Sequence, residues 1–318
     1  MAMACLSLPS PPRLRRPQGE HLLAFGAEWL AVAGVVLLDL VLAWRLHFHL
    51  LVTWRDGVVV CALLGIALLL RFSGFGRGRL IAEYVALSAA AVMALCVLTY
   101  LCLAASGPLV DARLLAFDRM LGFDWRAGFR LFEAHPQVAA ALRLAYRSPA
   151  LQDLYFVLLF GLMGDKARLR QLFWLLLSAL LVTCAGVWLF PAYGPFKLFG
   201  LEAHGPFLAD MERLRGGARS FTLAGMTGVI CFPSFHTTMA IAYVWAFRGT
   251  GPIGRIITGL NLAMLAAIPF VGGHYLADMI AGAVVALACI AAVIGTPRLW
   301  RSRALLAVPQ PLPQAERA

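Results

Sequence analysis

Charge is scarce in this 318-residue chain. Only 14% of its residues are Asp, Glu, Lys or Arg, where soluble proteins average about 25%. The seven cysteines form no CxxC pair and no Cys/His spacing suited to zinc. Most of them fall inside apolar runs, where Cys behaves as a small hydrophobe. No fixed-period repeat is visible, and low complexity is confined to the Pro-rich stretches 8–17 and 308–313. These absences exclude a soluble enzyme, a disordered chain, a collagen and a disulfide-built secreted scaffold. What is abundant is apolar, at 61% hydrophobic residues, more than one soluble core can hold. The composition is that of a polytopic membrane protein. In a soluble chain the net charge of +11 would point to nucleic acid, but here its placement matters more than its sum, and no nucleic-acid partner is expected.

The expected fold is all-α, a polytopic membrane helix bundle of about eight transmembrane helices. A span needs about 20 mainly apolar residues, and the candidates are 24–44, 56–71, 80–105, 148–164, 169–190, 233–248, 253–271 and 274–295. Arg13, Arg15 and Arg16 precede the first, as in a signal peptide. That stretch is too long for a signal core and holds Glu28 and Asp39, so it reads as a retained helix. With the N-terminus inside, the cytoplasmic segments carry 15 Lys and Arg in 67 residues, and the opposite face carries 12 in 95. The denser side is the cytoplasmic one, as the positive-inside rule requires. On the outer face, 111–134 interleaves Leu114, Leu115, Phe117, Leu121, Trp125, Phe129 and Phe132 with charges. That pattern suits an interfacial amphipathic helical segment, either an ordinary connection or a shelf that guides lipid head groups.

The chemistry concentrates in the last three spans. Residues 228–240 read GVICFPSFHTTMA, with Pro233 suited to the first turn of a helix. Residues 269–282 read PFVGGHYLADMIAG, where Gly272 and Gly273 allow a tight turn before a new helix. His236 and His274 then both fall at outer-face helix N-termini. Asp278 lies four residues after His274 and shares its helix face, where a carboxylate can fix the imidazole tautomer. Two helix N-termini opening on one pocket favour phosphate through free N–H groups and the positive dipole end. The residues alone point to phosphoryl transfer at the outer membrane surface. His47 and His49 lack a third ligand and read as no metal site. Glu28, Asp39 and Glu83 read as bonds between neighbouring helices.

Phe-Pro-Ser-Phe-His at 232–236 resembles the P-S-x-H motif of the type-2 phosphatidic acid phosphatase superfamily, and Gly-Gly-His-Tyr-Leu-Ala-Asp at 272–278 resembles the H-x-x-x-D half of its last motif. The pair is most similar to the inositolphosphotransferase branch, which includes the inositol phosphorylceramide synthases. Gly122-Phe123-Asp124-Trp125 and Phe190-Pro191-Ala192-Tyr193-Gly194-Pro195 resemble bacterial members of that branch. The resemblance covers roughly 80–296, which implies a catalytic membrane core there. Residues 1–79 would be a tail with two accessory helices, and 297–318 a basic, Pro-rich cytoplasmic tail. It also implies a bacterial inner-membrane protein whose site faces outward, acting without metal or cofactor by double displacement. His274 would attack phosphorus, Asp278 would orient it, and His236 would protonate the departing oxygen and later deprotonate the incoming hydroxyl.

This sequence departs from the phosphatase pattern. The Ser-Arg that phosphatase members carry before the nucleophilic His is replaced by Ala267 and Ile268, and no K-x-x-x-x-x-x-R-P motif is present. Other groups must therefore neutralise the phosphate. The candidates are Lys197, Arg147 and Arg219, with Ser234 as a hydroxyl donor and Asp153 as an acceptor for a substrate hydroxyl. Lys197 ranks first because it follows the Pro-Ala-Tyr-Gly-Pro turn. The expected function is transfer of a phospho-headgroup from a phospholipid or sphingolipid to a lipid or polar alcohol. The alternatives are a phosphatase with water as acceptor, and an inactive transporter or scaffold. The intact His236, His274 and Asp278 set argues against the last.

Overall fold

The computed structural model describes residues 24–54, 65 and 76–305, and within them the chain is overwhelmingly helical. In order run α1 (Gly26–Leu46), α2 (Gly76–Ala104), α3 (Asp111–Met120), α4 (Trp125–Ala134), α5 (Pro136–Tyr146), α6 (Pro149–Met163), α7 (Lys166–Leu189) and the single turn α8 (Pro195–Leu198). Then follow α9 (Leu208–Arg215), α10 (Phe235–Ala246), α11 (Pro252–Val271) and α12 (Leu276–Leu305). Two short strands, β1 (His49–Leu51) and β2 (Ser220–Thr222), pair in parallel with His49 opposite Ser220.

Local chemistry sets the helix boundaries. Pro136, Pro149 and Pro252 open α5, α6 and α11, where the missing N–H costs nothing. Asp124, Asp165 and Ser234 cap α4, α7 and α10 by accepting the N–H groups of Ala127, Arg168 and Thr237. Pro233 therefore lies just before the helix rather than in its first turn. Ser234 takes the cap position because its hydroxyl can accept an N–H, which a prolyl ring cannot.

Five helices are long and apolar enough to cross a membrane: α1, α2, α7, α11 and the Leu276–Thr296 part of α12. They make this an integral membrane protein. The expectation of about eight spans is not met among the described residues. Segment 148–164 forms the 15-residue α6, and 233–248 forms only the 12-residue α10. At 1.5 Å per residue these reach about 22 and 18 Å, short of a hydrocarbon core of about 30 Å. The expected span 56–71 lies outside the described residues except for position 65, as do both Pro-rich tails.

The centre of the bundle is α2 and α7. α2 packs on α1, α6 and α7, and α7 packs on α10 and α12 as well. Leu37, Leu40 and Trp44 on α1, Leu262 on α11, and Val284 and Leu287 on α12 are exposed apolar side chains on these span-length helices, the surface a membrane protein turns to lipid. Two acids, buried Glu28 and half-buried Glu83, join neighbouring segments as expected. Glu28 accepts from Arg170 Nε and Trp174 Nε1 on α7. Glu83 accepts from the N–H groups of Ala24 and Phe25 at the start of α1, both at 2.9 Å. Asp39 departs from that expectation, because its buried Oδ1 has no hydrogen-bond partner among the described residues.

The contact that matters most for function is between α10 and α12. Ser234 N donates to Asp278 O at 3.0 Å, and one turn further Thr238 Oγ1 donates to Gly282 O at 2.9 Å. Both steps advance four residues on each helix, so the two helices run parallel with their N-termini at one end. Gly282 permits this approach, since a Cβ there would run into Ser234 O. Gly282→Ala should force the helices apart at an overpacking cost of about 1–3 kcal/mol. Thermal unfolding in detergent should show a clearly lowered midpoint, and an unchanged midpoint would contradict this packing.

Candidate active site

The parallel pair brings His236, at the start of α10, and His274, just ahead of α12, to the same end of the bundle. His274 is 3% exposed and its Nδ1 lies 3.3 Å from Asp278 Oδ2. The same oxygen accepts from Tyr275 N at 2.9 Å and from Cys231 Sγ at 3.3 Å, while Asp278 Oδ1 is buried without a partner among the described residues. The Asp278 side chain thus faces three donors, one of them the imidazole. Burial, reinforced by the Asp278 charge, pushes the Cys231 thiol well above its ordinary pKa, so Cys231 is a neutral donor here.

His236 is held differently. Its ring stacks on Tyr146, the last residue of α5, with centroids 4.1 Å apart and planes 16° apart. The Tyr146 hydroxyl lies 3.2 Å from His236 Nδ1. Gly272 makes room for both assemblies: a Cβ there would come within 2.7 Å of the Tyr146 hydroxyl and 2.8 Å of His274 Cδ2. Gly273, at φ +65°, supplies the left-handed turn between α11 and α12. The two histidines, Asp278 and Tyr146 therefore converge around one glycine turn.

The roof over this turn comes from the 111–134 stretch. Asp118 is fully buried and accepts from Leu276 N at 2.8 Å and Ala277 N at 2.9 Å, capping α12 across the fold. Burial pushes its carboxyl up, and those two N–H groups oppose the shift. Asp111, two helical turns earlier, accepts from Tyr193 N, Gly194 N and the Tyr275 hydroxyl. Leu114 and Leu115 are half-buried against Ala192, Cys231, Tyr275 and Ala277. Trp125 is buried and its indole donates to Pro269 O at 2.9 Å, satisfying a carbonyl in the last turn of α11. Much of the apolar face expected to lie in the headgroup plane is thus spent on the protein.

These contacts correct one expectation about phosphate. The N-terminus of α12 offers fewer free N–H groups than expected, because those of Tyr275, Leu276 and Ala277 are taken by carboxylates. Ser234 is fully buried and accepts from Thr237 N at 3.4 Å. Lys197 is partly exposed and pairs with Glu212 at 2.6 Å and Glu202 at 3.3 Å, which together raise its pKa above the ordinary lysine value. Arg219 is turned onto the carbonyls of Leu214, Ala218 and Ala104. Asp153, half-buried on α6, is within electrostatic reach of Tyr84 and Tyr243. Arg147 follows Tyr146 directly, is exposed, and makes no side-chain hydrogen bond or ion pair among the described residues.

Asp111, Asp118 and Tyr146 were not singled out from the sequence. The two aspartates had a signal, because a spacing of seven puts them on one helix face. Tyr146 had none, since its partner is distant in the chain.

A family model described as the PAP2 superfamily matches residues 112–292, more than half of the chain, and the protein belongs to that superfamily. Its members act on phosphoesters, lipid phosphates among them, as phosphatases or phosphotransferases. No curated protein and no solved structure matches the chain. The matched region begins at α3 and so includes Asp118 as well as both histidines. Asp118→Ala should leave two helix N–H groups without acceptors, at a cost of about 0.5–2 kcal/mol. Detergent-phase melting should show the loss, and Asp118→Asn, which keeps one acceptor oxygen, should recover part of it. A melting point unchanged in both variants would contradict this capping role.

Proposed function

We propose that the protein is a lipid phosphotransferase that moves a phospho-headgroup, phosphoinositol in the branch it resembles, from a membrane lipid to a hydroxyl of a lipid or polar alcohol. The observation that carries this reading is the His274–Asp278 pair at the same helix end as His236. With its Nδ1–H given to Asp278, His274 has its lone pair on Nε2, free to attack phosphorus. The bond from phosphorus to the departing oxygen breaks as nitrogen binds, and His236 gives that oxygen a proton. The acceptor hydroxyl then returns a proton to His236 as its oxygen displaces His274. With water in place of the alcohol, the same steps describe a phosphatase. Burial of the pair beneath α3, together with Ala267 and Ile268 in place of Ser-Arg, supports an alcohol acceptor.

The stack of Tyr146 on His236 supports the acid role. A helix N-terminus disfavours imidazolium, and an aromatic face stabilises a cation by about 0.5–2 kcal/mol. For the phosphate cation, pairing with two glutamates argues against Lys197, and the committed guanidinium argues against Arg219. We assign the role to Arg147. The Ser234 hydroxyl retains a proton to donate to a phosphate oxygen, and Asp153 is retained as the acceptor for a substrate hydroxyl. In the eight-span reading the Lys and Arg density supports an outward-facing site, and the resemblance to bacterial members supports a bacterial inner membrane. In this scheme the catalytic core is 80–296, with 1–79 accessory and 297–318 a cytoplasmic tail.

The test is lipid mass spectrometry of purified protein in vesicles carrying candidate phospholipid and sphingolipid donors, with a polar alcohol offered against water. Wild-type protein should produce the headgroup-exchanged lipid, and His274→Ala should produce none. Arg147→Ala should slow turnover by about two orders of magnitude, as when one transition-state donor is lost, and Lys197→Ala should remain within a few-fold of wild type. Release of free phosphate with no exchanged lipid would replace the transferase with the phosphatase. Full activity in His274→Ala would end both readings.

A further inference from the structure

Among the described residues, one group of His, Cys, Asp or Glu side chains gathers its ligand atoms in the manner of a metal site: Cys231, His274 and Asp278, all within 4.8 Å of one another. All three are buried, at 4%, 3% and 0% exposure. The His274–Asp278 contact, at 3.3 Å, is longer than a charge-assisted N–H···O bond of about 2.7–2.9 Å, while the thiol contact has an ordinary S–H···O length. The two edges that meet at Asp278 Oδ2 also suit shared coordination of one metal ion. With zinc–nitrogen and zinc–oxygen bonds of about 2.0–2.2 Å and zinc–sulfur of about 2.3 Å, the edges of a coordination tetrahedron are about 3.4 Å for N···O and about 3.6 Å for S···O. The observed edges are 3.3 Å from His274 Nδ1 to Asp278 Oδ2 and 3.3 Å from Cys231 Sγ to the same oxygen.

Two further observations favour a cation. Asp278 Oδ1 is buried without a partner among the described residues, so the carboxylate has acceptor capacity left over. Asp111 accepts from the Tyr275 hydroxyl and Asp118 from Leu276 N and Ala277 N, so two more carboxylates lie against the segment that carries His274 and Asp278. Three acids thus hold the 274–278 segment beside a buried thiol and imidazole, a donor set that suits thiophilic divalent ions.

We propose that Cys231, His274 and Asp278 form an inhibitory binding site for a thiophilic divalent cation of the Zn2+ or Cd2+ type. Coordination releases the Cys231 thiol proton to solvent and places the metal on His274 Nδ1. The imidazole proton moves to Nε2, which removes the lone pair that would attack phosphorus. Catalysis needs no metal in this scheme, and the ion acts only as a reversible stop. Binding stands on the geometry alone, whereas inhibition rests on the histidine mechanism proposed above.

The experiment titrates the purified full chain with Cd2+ and follows sulfur-to-cadmium charge-transfer absorption. Cys102 and Cys184 form a second thiol pair, so the readout is the increment lost in Cys231→Ser. Wild type should show a Cys231-dependent increment saturating at one ion per chain. Half-inhibition by Zn2+, scaled to each variant's own metal-free rate, should need at least tenfold more metal in Cys231→Ser, and chelator should restore the wild-type rate. As a check that needs no variant, Zn2+ should protect Cys231 of wild type from a thiol reagent mapped by mass spectrometry. Identical titrations of wild type and Cys231→Ser, or no protection of Cys231, would overturn the site. A Cys231-dependent increment in a protein that transfers no phosphoryl group would uphold the binding site while removing the mechanism it was meant to stop.

Discussion

The parallel, in-register packing of α10 on α12 is the constraint on which the rest of the site depends. Ser234 N on Asp278 O and Thr238 Oγ1 on Gly282 O join the two helices one turn apart along both. Nothing local to either histidine motif would otherwise bring them together. The intervening α11 runs back along the bundle so that α12 can start where α10 starts. Gly282 keeps the contact close, and Gly272 and Gly273 turn the chain within the space left by Tyr146 and Phe196. One small-residue seam and one glycine turn therefore place His236, His274 and Asp278 at a single end.

The second layer of organisation is electrostatic and comes from across the fold. α3 delivers two carboxylates to backbone N–H groups, Asp118 to the head of α12 and Asp111 to the 193–194 turn. Carboxylates withdrawn from water are expensive unless hydrogen-bonded, and buried Asp118 and half-buried Asp111 are both satisfied here by groups that themselves needed acceptors. The arrangement holds the turn carrying His274 from above while α10 holds it from the side. It also explains two motifs that had no chemistry of their own. In Gly-Phe-Asp-Trp, Asp124 caps α4 and Trp125 satisfies a carbonyl of α11. In Pro-Ala-Tyr-Gly-Pro, the turn seats its N–H groups on Asp111, and a Cβ on Gly194 would sit 2.5 Å from Gly273 O.

The placement of His236, His274 and Asp278 at one helix end was legible in the sequence, because their spacing relative to helix starts carries meaning within a few residues. The membrane character was legible from composition and run length. The short α10 was not, since hydropathy does not register that Ser234 caps the helix and Phe235 begins it. The amphipathic pattern of 111–134 was visible, but what its apolar face would cover was not: lipid and protein interior present the same apolar demand. Lys197 looked the best phosphate cation from its place after a turn, yet Glu202 and Glu212, five and fifteen residues on, fold back to pair with it. The contact of Tyr146 with His236 depends on how α5 packs against α11, a long-range fact that no local pattern announces.

The central claim is that His274, oriented by Asp278, forms a bond to phosphorus. The most direct measurement is to react the protein briefly with a phosphate-labelled lipid donor, quench in alkali where phosphohistidine survives, and map the label by peptide sequencing. The account places the label on His274, absent from His274→Ala and accumulating in His236→Ala if breakdown slows more than formation. Label on Ser234 or another hydroxyl, or turnover with label on no residue of the chain, would contradict it.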